Sequence, residues 1–307
     1  MARDPVQATV ARGTGRRRPS VAMAWVATAL LGAVPAIVTH LVFGRVPSWM
    51  VLAQLSVGAL VLVGVVTVPP LRRLWRFVAV LLTLLTATTL TSWGDFSLEP
   101  VQRLLGGTAL DAQLQPVLTA KLAVAAVMVV ALIGMGLRPR EFFMTVGDLA
   151  ARIRPVPALG FPKPDSWTRF GLIWGFGIAA VLGVGQYLLL RPPASAFVVI
   201  LPMVPAILVY AAVNSVAEEL AYRAPLLATA RRAVSSAQAL WMSAVFFGLA
   251  HYFGIPGGLF GALASIFMGW ILSKAMLETR GLFWPWLIHF LSDVVIFAFL
   301  AVAFVSG

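Results

Sequence analysis

Five ionisable residues lie in stretches of this sequence that are otherwise apolar, and their types could carry out hydrolysis. They are Glu218, Glu219, His251, His289 and Asp293. An ionisable side chain in a membrane-spanning segment costs at least about 2.5–3.5 kcal/mol, so it usually marks a function or a buried partner. The chain has only 11 acidic residues and 3 histidines. The remaining acidic residues fall in loops, at helix ends or in the N-terminal tail.

Helical spacing predicts how these groups are arranged. His289 and Asp293 are four residues apart, so they share one face of a helix. Glu218 and Glu219 are adjacent and point about 100° apart around a helix axis, so we expect them to reach different places. Glu219 has Arg223 four residues later, which predicts an ion pair within the helix. Glu218 is then left as the free carboxylate of the site.

The depths of four of these residues in the membrane are predicted to be similar. Counting from the nearest basic or polar helix ends puts Glu218, His251, His289 and Asp293 at depths of roughly 13–22 Å, at about 1.5 Å per residue. Such a set could bind a divalent metal such as zinc. Alternatively, the glutamate could activate a water while the imidazoles stabilise an oxyanion. Both routes lead to hydrolysis of a carbonyl compound, such as an amide.

The composition predicts the membrane environment that these groups require. Hydrophobic residues make up 60% of the 307, and charged residues only 11%, far below the roughly one quarter of soluble domains. No cysteine is present, which excludes disulfides, thiolate metal sites and cysteine nucleophiles. We expect an all-α, polytopic transmembrane helical bundle of about nine spans. The predicted spans are 21–43, 48–70, 74–93, 116–137, 170–190, 196–229, 235–253, 258–277 and 282–305.

The net charge of +12 predicts an orientation in the membrane. Most Lys and Arg residues fall in alternate loops, and the positive-inside rule makes that side, with the N-terminus, cytoplasmic. The charge therefore does not indicate nucleic-acid binding. Lys121 and Lys274 are assigned to helix ends, where their ammonium groups would reach the interface. The predicted parts are a basic cytoplasmic tail (1–20), four leading helices (21–137), a Pro- and Arg-rich cytoplasmic linker (138–169) with a short surface helix near 141–153, and a catalytic helical core (170–307).

Three short motifs in the trailing helices resemble those of a known family. They are E-E-x-x-x-R at Glu218 to Arg223, F-x-x-x-H at Phe247 to His251, and H-x-x-x-D at His289 to Asp293. In this order they resemble the motifs of the CPBP intramembrane protease family, also called the CAAX-protease and bacteriocin-processing or Abi family. The resemblance lies within roughly 170–305 and does not extend to the four leading helices.

The resemblance implies an intramembrane endopeptidase acting on a membrane-associated peptide or protein. Glu218 resembles the family's water-activating glutamate, and His251, His289 and Asp293 would surround the reacting carbonyl or ligate a metal together with Glu218. Glu219, Arg223 and Phe247 would support the site. Asp293 stands where eukaryotic CAAX proteases usually have Asn, which favours a charged, zinc-binding site over a neutral one. Zinc and metal-free chemistry both remain open. The Arg-, Ala- and Val-rich composition suggests a bacterial plasma-membrane protein.

Two other functions would use the same residues. Buried acids and histidines could line a solute or proton pathway of a transporter, although the two halves of the chain share no polar pattern that would indicate a repeat. A non-proteolytic scaffold or immunity protein of the same family is the second alternative. Against it, every motif position holds a residue that is competent for the chemistry.

Overall fold

The computed structural model describes residues 18–254 and 257–306, and nearly all regular structure in these ranges is helical. Residues 1–17, most of the predicted basic tail, lie outside the described residues, as do 255, 256 and 307. The predicted all-α, polytopic helical bundle is confirmed. The α-helices in chain order are α1 Arg18–Leu31, α2 Val34–Phe43, α3 Met50–Thr67, α4 Trp75–Ser92, α5 Glu99–Leu105, α6 Ala109–Gly134, α7 Trp167–Leu190, α8 Ala194–Val199, α9 Val204–Glu218, α10 Ala224–Ala230, α11 Ser236–Ala250, α12 Gly258–Thr279 and α13 Phe283–Ser306.

Seven helical stretches in the described part of the chain are long and apolar enough to cross a membrane. They are Met50–Thr67, Pro69–Ser92, Ala109–Gly134, Trp167–Leu190, Ala194–Ala230, Gly258–Thr279 and Phe283–Ser306. Helices α1 and α2 pass the same test only as a pair, which is bent by 51°. The predicted count of nine is not confirmed, because α11, in the predicted span 235–253, has only 15 residues. The cytoplasmic N-terminus stays a prediction.

The chain forms two compact units, each built from separated stretches of sequence. The first comprises Met1–Thr89, Ala131–Leu137 and Pro225–Trp270, and the second Leu90–Val130, Arg138–Ala224 and Ile271–Gly307. This division by packing does not test the predicted division of the sequence into tail, leading helices, linker and core.

In the first unit, a buried glutamine stabilises the break between α1 and α2. The side-chain amide nitrogen of Gln54 donates to the carbonyl oxygens of Leu30 and Gly32, at 2.9 Å each. Carbonyl groups at a helix break have lost their helical partners, and leaving them unpaired in an apolar environment is costly. Trp25 Nε1 also donates to Gln238 Oε1 at 2.7 Å, which joins α1 to α11.

In the second unit, α7 packs closely against α13 through glycines. A Cβ atom at Gly171 would lie 2.4 Å from the Trp284 ring, and one at Gly175 would lie 3.1 Å from Leu291 Cδ1. The G-x-x-x-G spacing therefore allows the two backbones to approach. Helix α13, which carries His289 and Asp293, also packs against α9.

A buried aspartate fixes the start of α6 in the same unit. Asp111, 0% exposed, accepts hydrogen bonds at Oδ2 from the backbone nitrogen and the hydroxyl of Thr108, both at 2.7 Å. Its Oδ1 accepts a hydrogen bond from the hydroxyl of Tyr210 in α9, at 2.8 Å. The first turn of α6 is thus capped and joined to α9, which sets the position of every later residue of α6.

The predicted surface helix near 141–153 is wrong. The segment 138–169 instead contains a 3₁₀ turn at Pro139–Phe142 and a small antiparallel hairpin of β1 Arg152–Ile153 and β2 Asp165–Ser166. Its prolines lack amide protons and cannot continue a helix. The segment also packs within the second unit, because Glu278 of α12 accepts hydrogen bonds from the backbone nitrogen of Arg154 at 3.2 Å and from Trp167 Nε1 at 3.0 Å.

Lys274 lies near the C-terminal end of α12, as predicted, but its side chain is buried instead of extending outwards. Its side chain is 7% exposed and is paired with Glu278, four residues later. Glu278 therefore makes two kinds of contact. It accepts hydrogen bonds from the linker, and Lys274 neutralises its buried negative charge.

Candidate active site

The first two glutamates of the motif lie where the sixth apolar stretch changes its helical winding. Helix α9 ends at Glu218 and continues as a π-helical turn over Glu219–Arg223, in which the backbone nitrogen of Ala224 donates to the carbonyl oxygen of Glu219. Pro225 follows and cannot donate to the carbonyl of Ala221, which a regular α-helix would require. The wider turn accommodates the proline, as expected for a kink in this overlong stretch.

The predicted ion pair between Glu219 and Arg223 is present. Both side chains are 0% exposed, and an Arg223 guanidinium nitrogen is in direct contact with Glu219 Oε1. A buried charge is tolerated only when it is paired and hydrogen-bonded, so each residue makes the position of the other possible.

His289 of α13 lies between the two glutamates. Its Nδ1 is 3.0 Å from Glu219 Oε1, and its Nε2 is 3.6 Å from Glu218 Oε2. Glu218 and Glu219 thus diverge as the helical spacing predicts, but they face opposite nitrogens of the same imidazole, which the spacing alone does not reveal. Since a carboxylate can only accept, Nδ1 carries a proton towards Glu219, and Nε2 is directed towards Glu218.

Asp293 shares the face of His289, as the spacing predicts. Its Oδ2 is 3.7 Å from His289 Nε2 and accepts a hydrogen bond of 2.9 Å from the side-chain amide of Asn214. Asn214 lies one turn before Glu218 in α9 and is 5% exposed. The sequence analysis missed it because a neutral amide is not a titratable group. Its position four residues before Glu218 is the signal that could have found it.

Glu218 is not the free carboxylate that the sequence predicts. Its Oε1 is 2.6 Å from the ammonium nitrogen of Lys121, which is also 2.6 Å from Asn214 Oδ1. Lys121 was assigned to a helix end because the span was predicted to begin at 116. Helix α6 begins at Ala109, so Lys121 lies at its middle and not near its end. Thr108 and Asp111, in the T-x-x-D pattern of a capped start, are the signal that would have placed it correctly.

These contacts join seven side chains of the second unit into one buried ionic cluster. Its members are Lys121, Asn214, Glu218, Glu219, Arg223, His289 and Asp293. Three carboxylates face two permanent cations, so a protonated His289 would bring the cluster to neutrality. The cluster can hold a carboxylate ionised at membrane depth and can direct N–H groups at negative charge that develops on a substrate.

His251 and Phe247 belong to the first unit. His251 opens a 3₁₀ turn after α11, its Nδ1 is 2.9 Å from the backbone oxygen of Phe247, and the two ring centroids are 4.4 Å apart. This contact orients the imidazole. Phe247 is therefore a packing partner of His251 inside that unit, and its role in supporting the site stays a prediction. The predicted meeting of His251 with Glu218, His289 and Asp293 stays a prediction.

The described residues do not form a ready metal site. No three His, Asp or Glu side chains among them are arranged to hold a metal ion. The ammonium of Lys121 already contacts Glu218 at 2.6 Å, and it would repel a second cation at the same carboxylate. His289 directs one nitrogen to Glu219 and can offer only Nε2 as a ligand. The donor set of the second unit therefore fits a water-based site better than a zinc site.

Fold and site together describe a helical, multi-pass membrane protein with a buried, charge-paired polar cluster. Residues 200–295 match the family model described as type II CAAX prenyl endopeptidase Rce1-like. The match agrees with the CAAX-protease family that the three motifs predicted, and the resemblance is confirmed for this segment. The segment contains all three motifs and is about a third of the chain. No curated protein and no solved structure matches the chain significantly.

The ion pair of Glu219 and Arg223 predicts a non-additive effect of charge reversal. We expect Glu219→Arg or Arg223→Glu alone to destabilise the protein by about 3–5 kcal/mol, because each leaves a buried charge unpaired. The double reversal should recover part of that loss. Thermal unfolding in detergent, followed by circular dichroism, measures it.

The exposed pair Glu99 and Arg103 is the matched control. It has the same i, i+4 spacing in the second unit, but its side chains are 78% and 72% exposed. Reversal of either residue there should cost under about 1 kcal/mol. A double reversal at 219 and 223 no more stable than either single variant would contradict the pairing.

Proposed function

We propose that the chain is an intramembrane endopeptidase that hydrolyses a peptide bond of a membrane-associated protein or peptide. The observation that carries the proposal is Glu218, a carboxylate only 6% exposed, held between the Lys121 ammonium and the His289 imidazole. A carboxylate in such a place is expensive to maintain, and it is useful only if its charge or its basicity is used. The family description of residues 200–295 names an endopeptidase, which agrees with this chemistry.

Glu218 is the proposed general base. It accepts a proton from a water molecule, and the hydroxide oxygen bonds to the carbonyl carbon of the scissile bond while negative charge collects on the carbonyl oxygen. Protonated Glu218 then passes the proton to the amide nitrogen. The C–N bond breaks, and a carboxylic acid and an amine leave.

His289 is the proposed oxyanion donor. The Glu219 carboxylate, 3.0 Å from Nδ1, fixes the ring and favours its protonated form, so Nε2–H can donate to the developing negative charge. Arg223 keeps Glu219 ionised, which gives these two residues their supporting role. Asp293, held by Asn214, faces the same Nε2 at 3.7 Å and keeps the ring aimed at the reacting atoms.

His251 is proposed as a second group around the reacting carbonyl, on the strength of its F-x-x-x-H motif. Zinc held by Glu218, His251, His289 and Asp293 is the alternative form of the same proposal, in which the metal would polarise the carbonyl. The Lys121 contact favours the metal-free form. We further propose a bacterial plasma membrane as the location, with lipid as its surroundings and no nucleic-acid partner.

Substitution of the base tests the proposed function. In protein reconstituted in lipid with membrane-peptide libraries, Glu218→Gln should lower the cleavage rate at least about 10²-fold, because the amide cannot accept the proton. His251→Ala should also lower it. Glu99→Gln, an exposed glutamate of the same unit, should retain the wild-type rate. Cleavage that survives both Glu218→Gln and His251→Ala would refute the protease function.

Two further arms of this experiment separate the alternatives. Chelation should leave the rate unchanged, whereas loss on chelation with recovery on adding zinc would establish the metal form. If no peptide is cut and a solute flux into liposomes disappears in Asp293→Asn, the chain is a transporter. If neither activity is found, the non-proteolytic scaffold or immunity function is favoured.

A further inference from the structure

Lys121 lies outside the segment that carries the family motifs, yet it contacts the central carboxylate of the cluster. The matched segment begins at residue 200, whereas Lys121 is at the middle of α6, Ala109–Gly134. It is one of only three lysines in the chain. A lysine at the centre of a candidate span costs at least about 2.5–3.5 kcal/mol unless it is paired, and Glu218 is its partner at 2.6 Å.

The surroundings of Lys121 give it more than a structural role. Its ammonium bridges Glu218 Oε1 and Asn214 Oδ1, at 2.6 Å each. Asn214 in turn donates to Asp293 at 2.9 Å. One cation therefore sets the positions of two carboxylates that the proposed reaction uses.

We propose that Lys121 is a positioning residue of the peptidase site and supplies the fixed positive charge that a metal ion would otherwise provide. It keeps Glu218 ionised and in place until water arrives. This inference rests on the proposed function, and it adds a residue from the leading helices to a site otherwise assigned to the trailing ones. Helix α6, which belongs to the predicted leading helices, is then part of the active site of the second unit.

The test compares kcat and KM for Lys121→Met, Lys121→Arg and Lys274→Met. Loss of the fixed cation should lower kcat about 10²-fold and leave KM nearly unchanged. Arginine should restore kcat to within about tenfold of wild type, because it keeps the charge. Lys274→Met removes a buried, paired lysine of the same unit outside the cluster, so it should lower the unfolding temperature and leave kcat unchanged.

A second set of variants tests the inference in the event that Lys121→Met folds poorly. Lys121→Ala should regain activity with added methylammonium, which a merely structural role would not produce. Wild-type kcat in Lys121→Met, or an equal kcat loss in Lys274→Met, would overturn the inference. If neither Lys121→Arg nor methylammonium restores kcat in folded protein, the inference also fails. Activity in Glu218→Gln would instead refute the peptidase function itself, so the two failures are distinguishable.

A separate observation concerns an arginine cavity in the first unit, independent of the peptidase site. The cavity measures about 850 Å³ and is lined by Val66, Arg72, Arg73, Trp75, Arg76 and Arg232. Arg232 is distant in sequence from the other three arginines, so two separate segments of the chain bring positive charges to this cavity. Four of the six lining residues are arginines, and planar guanidinium groups are well suited to bind the oxygen atoms of a phosphate.

The position of the cavity indicates the kind of anion. It lies at the 3₁₀ turn Pro69–Leu74, between α3 and α4, on the side predicted to be cytoplasmic. Arg72 Nε donates to the Val66 backbone oxygen at 3.0 Å, and the Arg76 guanidinium lies 5.0 Å from the centroid of the Trp75 ring. Exposed apolar side chains at the rim, such as Val66 and Trp75, suit glycerol and acyl chains. We infer that the cavity binds the phosphate of an anionic phospholipid.

Thermal unfolding of the whole protein in detergent tests the lipid site. Phosphatidylglycerol should raise the unfolding temperature of wild type and of Arg45→Gln, an exposed arginine of the same unit outside the cavity. The rise should be lost in the double variant Arg73→Gln and Arg232→Gln. An equal rise with phosphatidylcholine, or an undiminished rise in the double variant, would overturn the site. The same rise with inorganic phosphate alone would identify a soluble anion instead of a lipid.

Discussion

Pairing of buried charges is the constraint on which the second unit depends. In a membrane-spanning bundle, a lone carboxylate or guanidinium would be too costly to keep ionised, so each must bring its counter-charge into contact. The partners here come from different helices. Lys121 of α6 pairs with Glu218 of α9, and His289 of α13 contacts both glutamates. The helices must therefore pack together for the charges to be neutralised, and the paired charges in turn hold the helices together around the site.

A π-helical turn follows the first of the two glutamates. Pro225 cannot donate the hydrogen bond that a regular α-helix would require, and the backbone widens over Glu219–Arg223. Glu218 and Glu219 themselves keep ordinary helical backbone angles, so their side chains diverge by about 100°. They face opposite nitrogens of one imidazole because the ring of His289 lies between them.

The local parts of this arrangement could be predicted from the sequence. Spacing of four residues joins Glu219 to Arg223 and places Asp293 beside His289, because helical geometry alone determines those neighbours. Apolar stretches likewise predicted the helices, though not their number, since a stretch of the right hydropathy can still end after 15 residues, as α11 does. The proline-rich linker formed a hairpin of two-residue strands, which are too short for any periodicity to reveal.

The contacts between distant segments could not be predicted in the same way. Lys121 was misplaced because hydropathy put the start of its helix at 116, whereas the cap formed by Thr108 and Asp111 begins it at Ala109. Hydropathy measures how apolar a segment is, so it does not detect a polar helix cap that precedes the apolar residues. Asn214 was missed because it carries no charge.

In the proposed function, the Lys121 ammonium holds Glu218 ionised inside the membrane. Infrared difference spectroscopy of wild type against Glu218→Gln, in lipid, measures the state of that one side chain directly. We expect the band lost on substitution to be the stretching band of an ionised carboxylate, and the same band to be absent from Lys121→Met. Loss of the carbonyl band of a protonated carboxylic acid, with wild type and Lys121→Met alike, would contradict this role of Lys121.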